Sequence, residues 1–242
     1  GQDGIANLNG GSNNYLEYSA SGKSTIVVEG NGELYIGSQL RRSTETEAGI
    51  LHFAQLGADS KVVVGDKDSG TPTRAMFEIL NEGSTFRQAA GAVLTIKNQK
   101  GGSENYDLIF DPSTSTFGKG SAIEILAGNA STDFDIYAVK AMQNLKVGGS
   151  DGTVVKARLA LLPLTLNENL LIQERGEFNS GGRDVFINAG MVNNGSFVAA
   201  ENTVHFTGSG TIGGTAASTV FYNLSKSVGT GTLYLANDVT GV

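Results

Sequence analysis

Punctuation is what most constrains this chain. Apolar bursts of three to five residues alternate with clusters of Gly, Asn, Ser, Thr and Asp along almost its whole length. The bursts occupy 25–28, 34–36, 50–53, 62–64, 76–80, 93–96, 108–110, 123–126, 134–137, 145–147, 164–166 and 170–172. They continue at 177–179, 185–187, 191–193, 197–199, 204–206, 220–224 and 233–235. Many alternate internally: Leu51 and Phe53 bracket His52, Ile123 and Ile125 bracket Glu124, and Val204 and Phe206 bracket His205. A period of two puts the outer pair on one face and the middle residue on the other, which is strand behaviour. Enrichment in Val, Ile, Phe, Tyr and Thr agrees.

Helix competes in few places. Gly83 and Gly91 interrupt 73–80 and 86–94, and Pro163 ends the most helix-like run, 155–166, by removing an amide donor. The bursts lie roughly 7 to 15 residues apart, too close for βαβ crossovers. Asn31-Gly32, Asp151-Gly152 and Asn194-Gly195 carry hairpin chemistry, but the segments beside them are too short to hold a hairpin. Three-residue strands suffice when each stacks on the coil below. The expected fold is therefore all-β: a right-handed parallel β-helix, or β-solenoid, of about ten coils of roughly 20 to 25 residues, some 50 Å long.

We expect one solenoid domain over 1–242, with more irregular coils in 1–160 and regular ones in 161–242. Variable corners are expected at 41–49, 65–73 and 99–105. The C-terminal run LANDVTGV reads like the start of another coil, so the chain is expected to be a fragment of a larger protein whose bare ends associate with each other.

Composition removes several function classes. The 242 residues contain 34 Gly, 3 Pro and neither Cys nor Trp. Disulfide scaffolds, zinc fingers, iron–sulfur sites and thiol catalysis all need sulfur. The net charge of −7 argues against nucleic-acid partners and polybasic membrane contact. No apolar run approaches the roughly 20 residues that span a bilayer as a helix, so no membrane insertion is expected.

From about residue 164 the pattern becomes regular. "NAGMVNNGSF" at 188–197 is similar to a "gG-x-f-x-n-n-G-x-f" strand–turn–strand unit, and "VHFTGSG…FYNL" at 204–224 to a "V-x-F-x-G-s-G…F-y-n-L" unit. This third of the chain resembles the repeat regions of Bacteroidetes-type surface proteins, the adhesin-like or autotransporter-passenger-like parallel β-helices. The resemblance implies a secreted or cell-surface setting, with export complete and the signal peptide removed. Longer, more charged corners in the first 160 residues depart from that pattern. On the residues alone, Asn193-Asn194-Gly195 is expected to supply a left-handed corner, Val204 and Phe206 to fill the core, and Phe221 or Tyr222 with Leu224 to resume the next stack.

Each candidate chemical site has a plain structural reading beside it. Residues 208–213, GSGTIG, match the dinucleotide string GxGxxG, which works only between a strand and a helix. Residues 215–224 read as strand, so the match is assigned to glycine density. His52 and His205, the two histidines, sit mid-strand and should point into solvent rather than join a triad or metal site. Asp66 and Asp68 share one corner, and Asp133 and Asp135 flank Phe134. Such carboxylate pairs can bind Ca²⁺ or act as acid and base in a polysaccharide-cleaving β-helix. The Asn-Thr-Asp, Asp-Asp and Gly-His-Gly signatures of such enzymes are missing, as is a DxDxDG calcium loop, so solvated acidic corners are the preferred reading. Arg41, Arg42 and Arg74 are expected in exposed loops, balanced by Glu45 and Glu47. Tyr15, Tyr18, Tyr35 and Tyr234 offer rings for stacking sugars, half of them expected to turn inward.

These readings favour a non-enzymatic stalk or adhesive module, without cofactor or metal, making weak multivalent contact with glycans or host and environmental surfaces. The alternative is a polysaccharide lyase or glycoside hydrolase acting through Asp66, Asp68, Asp133 or Asp135. An ice- or mineral-binding solenoid would need regular Thr ladders, and pairs such as Thr44 and Thr46 are too sparse.

Overall fold

The chain is described here from a computed structural model covering residues 4–10, 14–18, 20–67, 74–99, 106–127, 132–148, 154–227, 229, 231–236 and 238–241. Its regular structure is entirely short β-strand, and the strands pair in parallel across long stacked sheets. The fold is a parallel β-helix. Among the described residues no helix is long and apolar enough to cross a membrane. The corner with Asp151-Gly152, most of the 65–73 and 99–105 corners, and Asp68 lie outside the described residues.

The first sheet has ten strands, from Ile5–Leu8 to Leu233–Leu235, one per coil. One column of side chains follows its register: Ala6, Leu34, Val62, Leu94, Ile123, Leu145, Leu170, Met191, Ile212 and Leu235. The second sheet runs for eight strands from Leu16–Tyr18 to Ser196–Val198, and Thr219–Phe221 and Val239–Gly241 pair beyond it. The third side is built in two blocks of four. Lys23–Val28, Ile50–Gln55, Thr85–Gln88 and Thr114–Phe117 form the first. Leu164–Leu166, Val185–Ile187, Thr203–Phe206 and Asn223–Lys226 form the second, which Met142 extends by a single parallel bridge to Leu166.

Along the first column the steps are 28, 28, 32, 29, 22, 25, 21, 21 and 23 residues. The expected 20 to 25 thus holds only from the fifth coil onward. Earlier coils are longer because they have more residues at their corners, and one such corner is held by side-chain hydrogen bonds. Asn81 sits at φ 79° and donates from Nδ2 to the carbonyls of Glu47 and Gly49, pinning the 43–49 loop.

Alternation fills the interior. Phe53 stacks on Phe86 with ring centroids 5.2 Å apart and planes 11° from parallel, and Phe86 meets Phe110 edge-on at 5.0 Å. Phe178 stacks on Phe197 at 6.2 Å farther along. Each buried phenyl contributes roughly 1.5–3 kcal/mol by leaving water. Val204 and Phe206 fill the core as expected, and Phe221 is buried, whereas Tyr222 and Leu224 are exposed.

Where the third side turns into the first sheet, side-chain amides run along the axis. Gln88 Nε2 donates to Gln55 Oε1 and to the carbonyl of Ala122, both at 3.1 Å. Asn144 Nδ2 donates to the carbonyl of Ser121 at 2.8 Å and to Glu168 Oε2 at 2.7 Å, while its Oδ1 accepts from Asn169. These amides satisfy turn carbonyls that burial would otherwise strand. The turns themselves touch: a Cβ at Gly57 would collide with the carbonyl of Gly30 in the coil before. Asn193-Asn194-Gly195 corrects an expectation, because none of the three is left-handed. Arg175 takes that conformation instead, at φ 59°. Gly195 is needed for room, since a Cβ there would strike the carbonyl oxygen of Gly176.

Candidate functional site

The outward face of the second sheet gathers the polar and aromatic chemistry. Its register lines up Glu17 with Arg41, Glu78 with Ile109, Ile109 with Tyr137, Asp135 with Arg158 and Lys156 with Glu177.

Three arginines anchor its N-terminal part, and here the structure corrects the sequence reading. Arg41 and Arg42 lie in the strand Leu40–Arg42, and both are buried. Their carboxylate partners include Glu17 and Glu78, which the sequence reading did not name. Arg41 Nη1 pairs with Glu17 at 2.9 Å, and its guanidinium lies 4.7 Å from the centre of the exposed Tyr15 ring. Arg42 Nε pairs with Glu78 Oε1 in a short contact, and Arg74 Nη2 pairs with Glu78 Oε2 at 3.2 Å. Arg42 reaches Glu47 only through that residue's carbonyl, at 3.0 Å. The Glu78 side chain is 2% exposed, so water screens this cluster little. Tyr18 points inward nearby. Burial first, then the Glu78 carboxylate, push its phenol well above the ordinary range.

Beside the cluster lies a cavity of about 150 Å³ lined by Arg42, Glu45, Arg74, Glu78, Tyr106 and Ile109. Tyr106 is stacked on Tyr137 of the next coil, with centroids 4.8 Å apart and planes 12° from parallel. That distance is about the spacing between neighbouring strands, but the register pairs Tyr137 with Ile109, so Tyr106, just before the strand Leu108–Phe110, meets its partner on a diagonal. One coil on, Arg158 grips Asp135 with Nε at 2.9 Å and Nη2 at 2.8 Å, and Arg158 Nη1 is 3.5 Å from Asp133.

The sequence candidates are therefore dispersed. Asp133 and Asp135 do share a face, but a guanidinium fills the space between them. Asp66 lies after the first-sheet strand Lys61–Val64, where Asn9 Nδ2 donates at 2.7 Å and Lys97 Nζ at 3.2 Å. Burial acts to raise its pKa, yet those donors outweigh it and hold the carboxyl below its ordinary value. Asp68 lies outside the described residues. Among the described residues no three His, Asp or Glu side chains converge as a metal site would require. His52 faces Thr85 Oγ1 at 2.9 Å, and His205 stacks on Phe186 at 4.5 Å with Nε2 3.5 Å from Asp184. Both point outward, as alternation implied. GSGTIG runs into the strand Gly210–Gly213 and then Thr219–Phe221, without the helix a dinucleotide would need.

The residues that sequence reasoning missed are Glu78, Tyr106, Tyr137 and Arg158. Tyr106 and Tyr137 are one coil apart, a relation that becomes visible only once the coil length is known. No protein-family profile, curated protein or solved structure matches the chain.

Proposed function

We propose that this chain is a non-enzymatic stalk or adhesive module of a large secreted or cell-surface bacterial protein. Its coils supply extension, and the outward face of the second sheet makes weak, multivalent contact with glycans. The observation that carries this reading is the Tyr106–Tyr137 stack beside a cavity walled by arginine and glutamate side chains. Paired rings offer an apolar platform for a sugar face, and fixed charged groups beside them suit hydroxyls and acidic substituents. Such contacts are individually weak and gain strength when copies are linked. The secreted, cell-surface setting rests on the resemblance of residues 188–224 to bacterial surface repeats.

The test is a glycan array probed with the protein coupled to beads. Binding is expected in this multivalent format, falling about tenfold in the Tyr106→Ala, Tyr137→Ala double variant, at roughly 1 kcal/mol or less per ring. Absence of binding to every glycan would remove the adhesive half of the reading. A polysaccharide panel scored for reducing ends or unsaturated products addresses the enzymatic alternative. Cleavage that Asp66→Ala or Asp133→Ala abolishes would replace the stalk with an enzyme.

A further inference from the structure

On the third side, the second block of strands carries another outward aromatic pair. Its middle column runs Thr165, Phe186, His205 and Ser225 through successive coils. Phe186 and His205 stack with centroids 4.5 Å apart and planes 6° from parallel. Each ring therefore has one face covered by its partner. The other face of Phe186 looks toward Thr165, an exposed residue whose side chain is too short to cover a phenyl ring. The result is a step one coil deep, floored by Thr165 and backed by the outer part of an aromatic face. Neighbouring coils lie about 4.8 Å apart, close to the thickness of a pyranose ring.

Polar groups flank this step. Asp184 and Asn188 lie two residues before and after Phe186, on the same outward face. Asp184 Oδ1 accepts from the Thr203 amide at 2.8 Å, which fixes the carboxylate. Its Oδ2 lies 3.5 Å from His205 Nε2, longer than a good hydrogen bond, and the side chain is 43% exposed. The carboxylate thus keeps acceptor capacity that faces water. On the other flank, Asn188 Nδ2 donates to the Asn167 carbonyl at 3.2 Å, and Asn188 Oδ1 accepts from Thr207 Oγ1 at 3.3 Å. An amide nitrogen carries two hydrogens, so a second remains for a ligand.

We infer that this step binds one neutral hexopyranose residue. Its C–H face lies on Phe186, one edge hydroxyl donates to Asp184 Oδ2, and Asn188 Nδ2 donates to an oxygen at the opposite edge. An apolar face set between an acceptor and a donor matches a sugar, which has C–H groups on its face and hydroxyls at its rim. The carboxylate beside the step disfavours an acidic sugar, which sets the class as neutral. The site lies on a different side of the rod from Tyr106 and Tyr137, and it rests on the adhesive reading only in taking a glycan as ligand.

Titration of the isotope-labelled chain by NMR with methyl β-glucopyranoside, methyl β-galactopyranoside and galacturonate tests it, followed at the signals of Thr165, Phe186 and His205. At least one methyl glycoside is expected to bind saturably, and galacturonate about two- to fivefold more weakly, as repulsion at an exposed charge implies. Thr165→Phe places a third ring in the register position the sugar would occupy. It should weaken the glycosides at least about tenfold while leaving the melting temperature unchanged or higher, because cross-strand aromatic pairs stabilise a sheet. Asp184→Asn keeps an oxygen for the Thr203 amide and should weaken them about five- to tenfold, since a charged acceptor becomes a neutral one. The inference is overturned by the absence of saturable shifts with both glycosides, by undiminished binding in Thr165→Phe or Asp184→Asn, or by galacturonate binding as tightly as the glycosides. If array binding falls in the Tyr106→Ala, Tyr137→Ala variant and not in Thr165→Phe, this site fails and the adhesive reading of the second sheet stands. The opposite pattern upholds this site and removes the second-sheet platform.

Discussion

Both oxygens of the Glu78 carboxylate accept from arginines that are themselves mostly removed from water. A buried ion pair adds little net stability compared with a well-packed apolar group, but removing one partner leaves an uncompensated charge. At Glu78 the loss would leave two guanidiniums facing each other. Glu78→Gln is therefore expected to destabilise the fold by about 3–5 kcal/mol. Arg158→Met, at a pair whose arginine is 42% exposed, should cost about 0–1 kcal/mol. Urea titrations of both variants check the contrast, and equal small losses would show that the buried cluster is not a keystone. The sequence reading of these arginines failed for a definite reason. Two adjacent Arg residues near Glu45 and Glu47 look like a solvated loop, and nothing local reveals that Leu40 pairs with Phe77 across a long corner.

Between the third side and the first sheet, strand and turn are coupled through side-chain amides, and Glu168 closes one stretch of that line. Its Oε2 accepts from Asn144 Nδ2 at 2.7 Å and from the Gly120 amide at 2.9 Å. Burial tends to raise its pKa, but these donors prevail and hold the carboxyl below its ordinary value of 4.5. A carboxyl depressed in the folded state contributes stability that is complete above 4.5 and is lost as pH falls through the lower folded value. Wild-type stability should thus decline below about pH 4.5, and Glu168→Gln should show a shallower decline over the same interval. Thermal melts across pH 3 to 6 (a range of roughly one and a half units either side) measure it, and identical slopes would exclude Glu168 as a contributor. At this scale most of the architecture was legible beforehand. Alternation in segments such as Ile50–Gln55 and Thr203–Phe206 marks strands and their buried faces, and short spacing excludes crossover helices. The candidate site was far less legible. Tyr106 and Tyr137 meet because a coil of about thirty residues closes there, and unequal corners hide that period from any fixed repeat.

Along the rod as a whole, the first described coil frames an apolar mouth. Ile5, Ala6, Leu16, Ile26, Val28 and Leu34 line a cavity of about 500 Å³, and the edge strand Ile5–Leu8 pairs on one side only. Among the described residues an edge strand and apolar side chains lie together here, the combination that recruits further strands. Contact of this mouth with the far end of a second copy is head-to-tail and does not close on itself. Sedimentation velocity should therefore show concentration-dependent association, reduced by Ile26→Lys. A single monomeric species at every concentration would refute it. An apolar space of this size could not be read from the sequence, because its depth depends on how the first coil sits over the second.

Unequal coils on an even rise have a mechanical corollary. Each coil advances the rod by about 4.8 Å, yet the steps between coils shrink from 28–32 residues near one end to 21–25 near the other. Pulled taut and peeled one turn at a time, a short coil would release roughly 70 Å of slack and the longest roughly 110 Å, at about 3.4 Å per residue. The tether would lengthen in coarser increments near its N-terminus than near its C-terminus, a gradation written into the corners rather than into the strands.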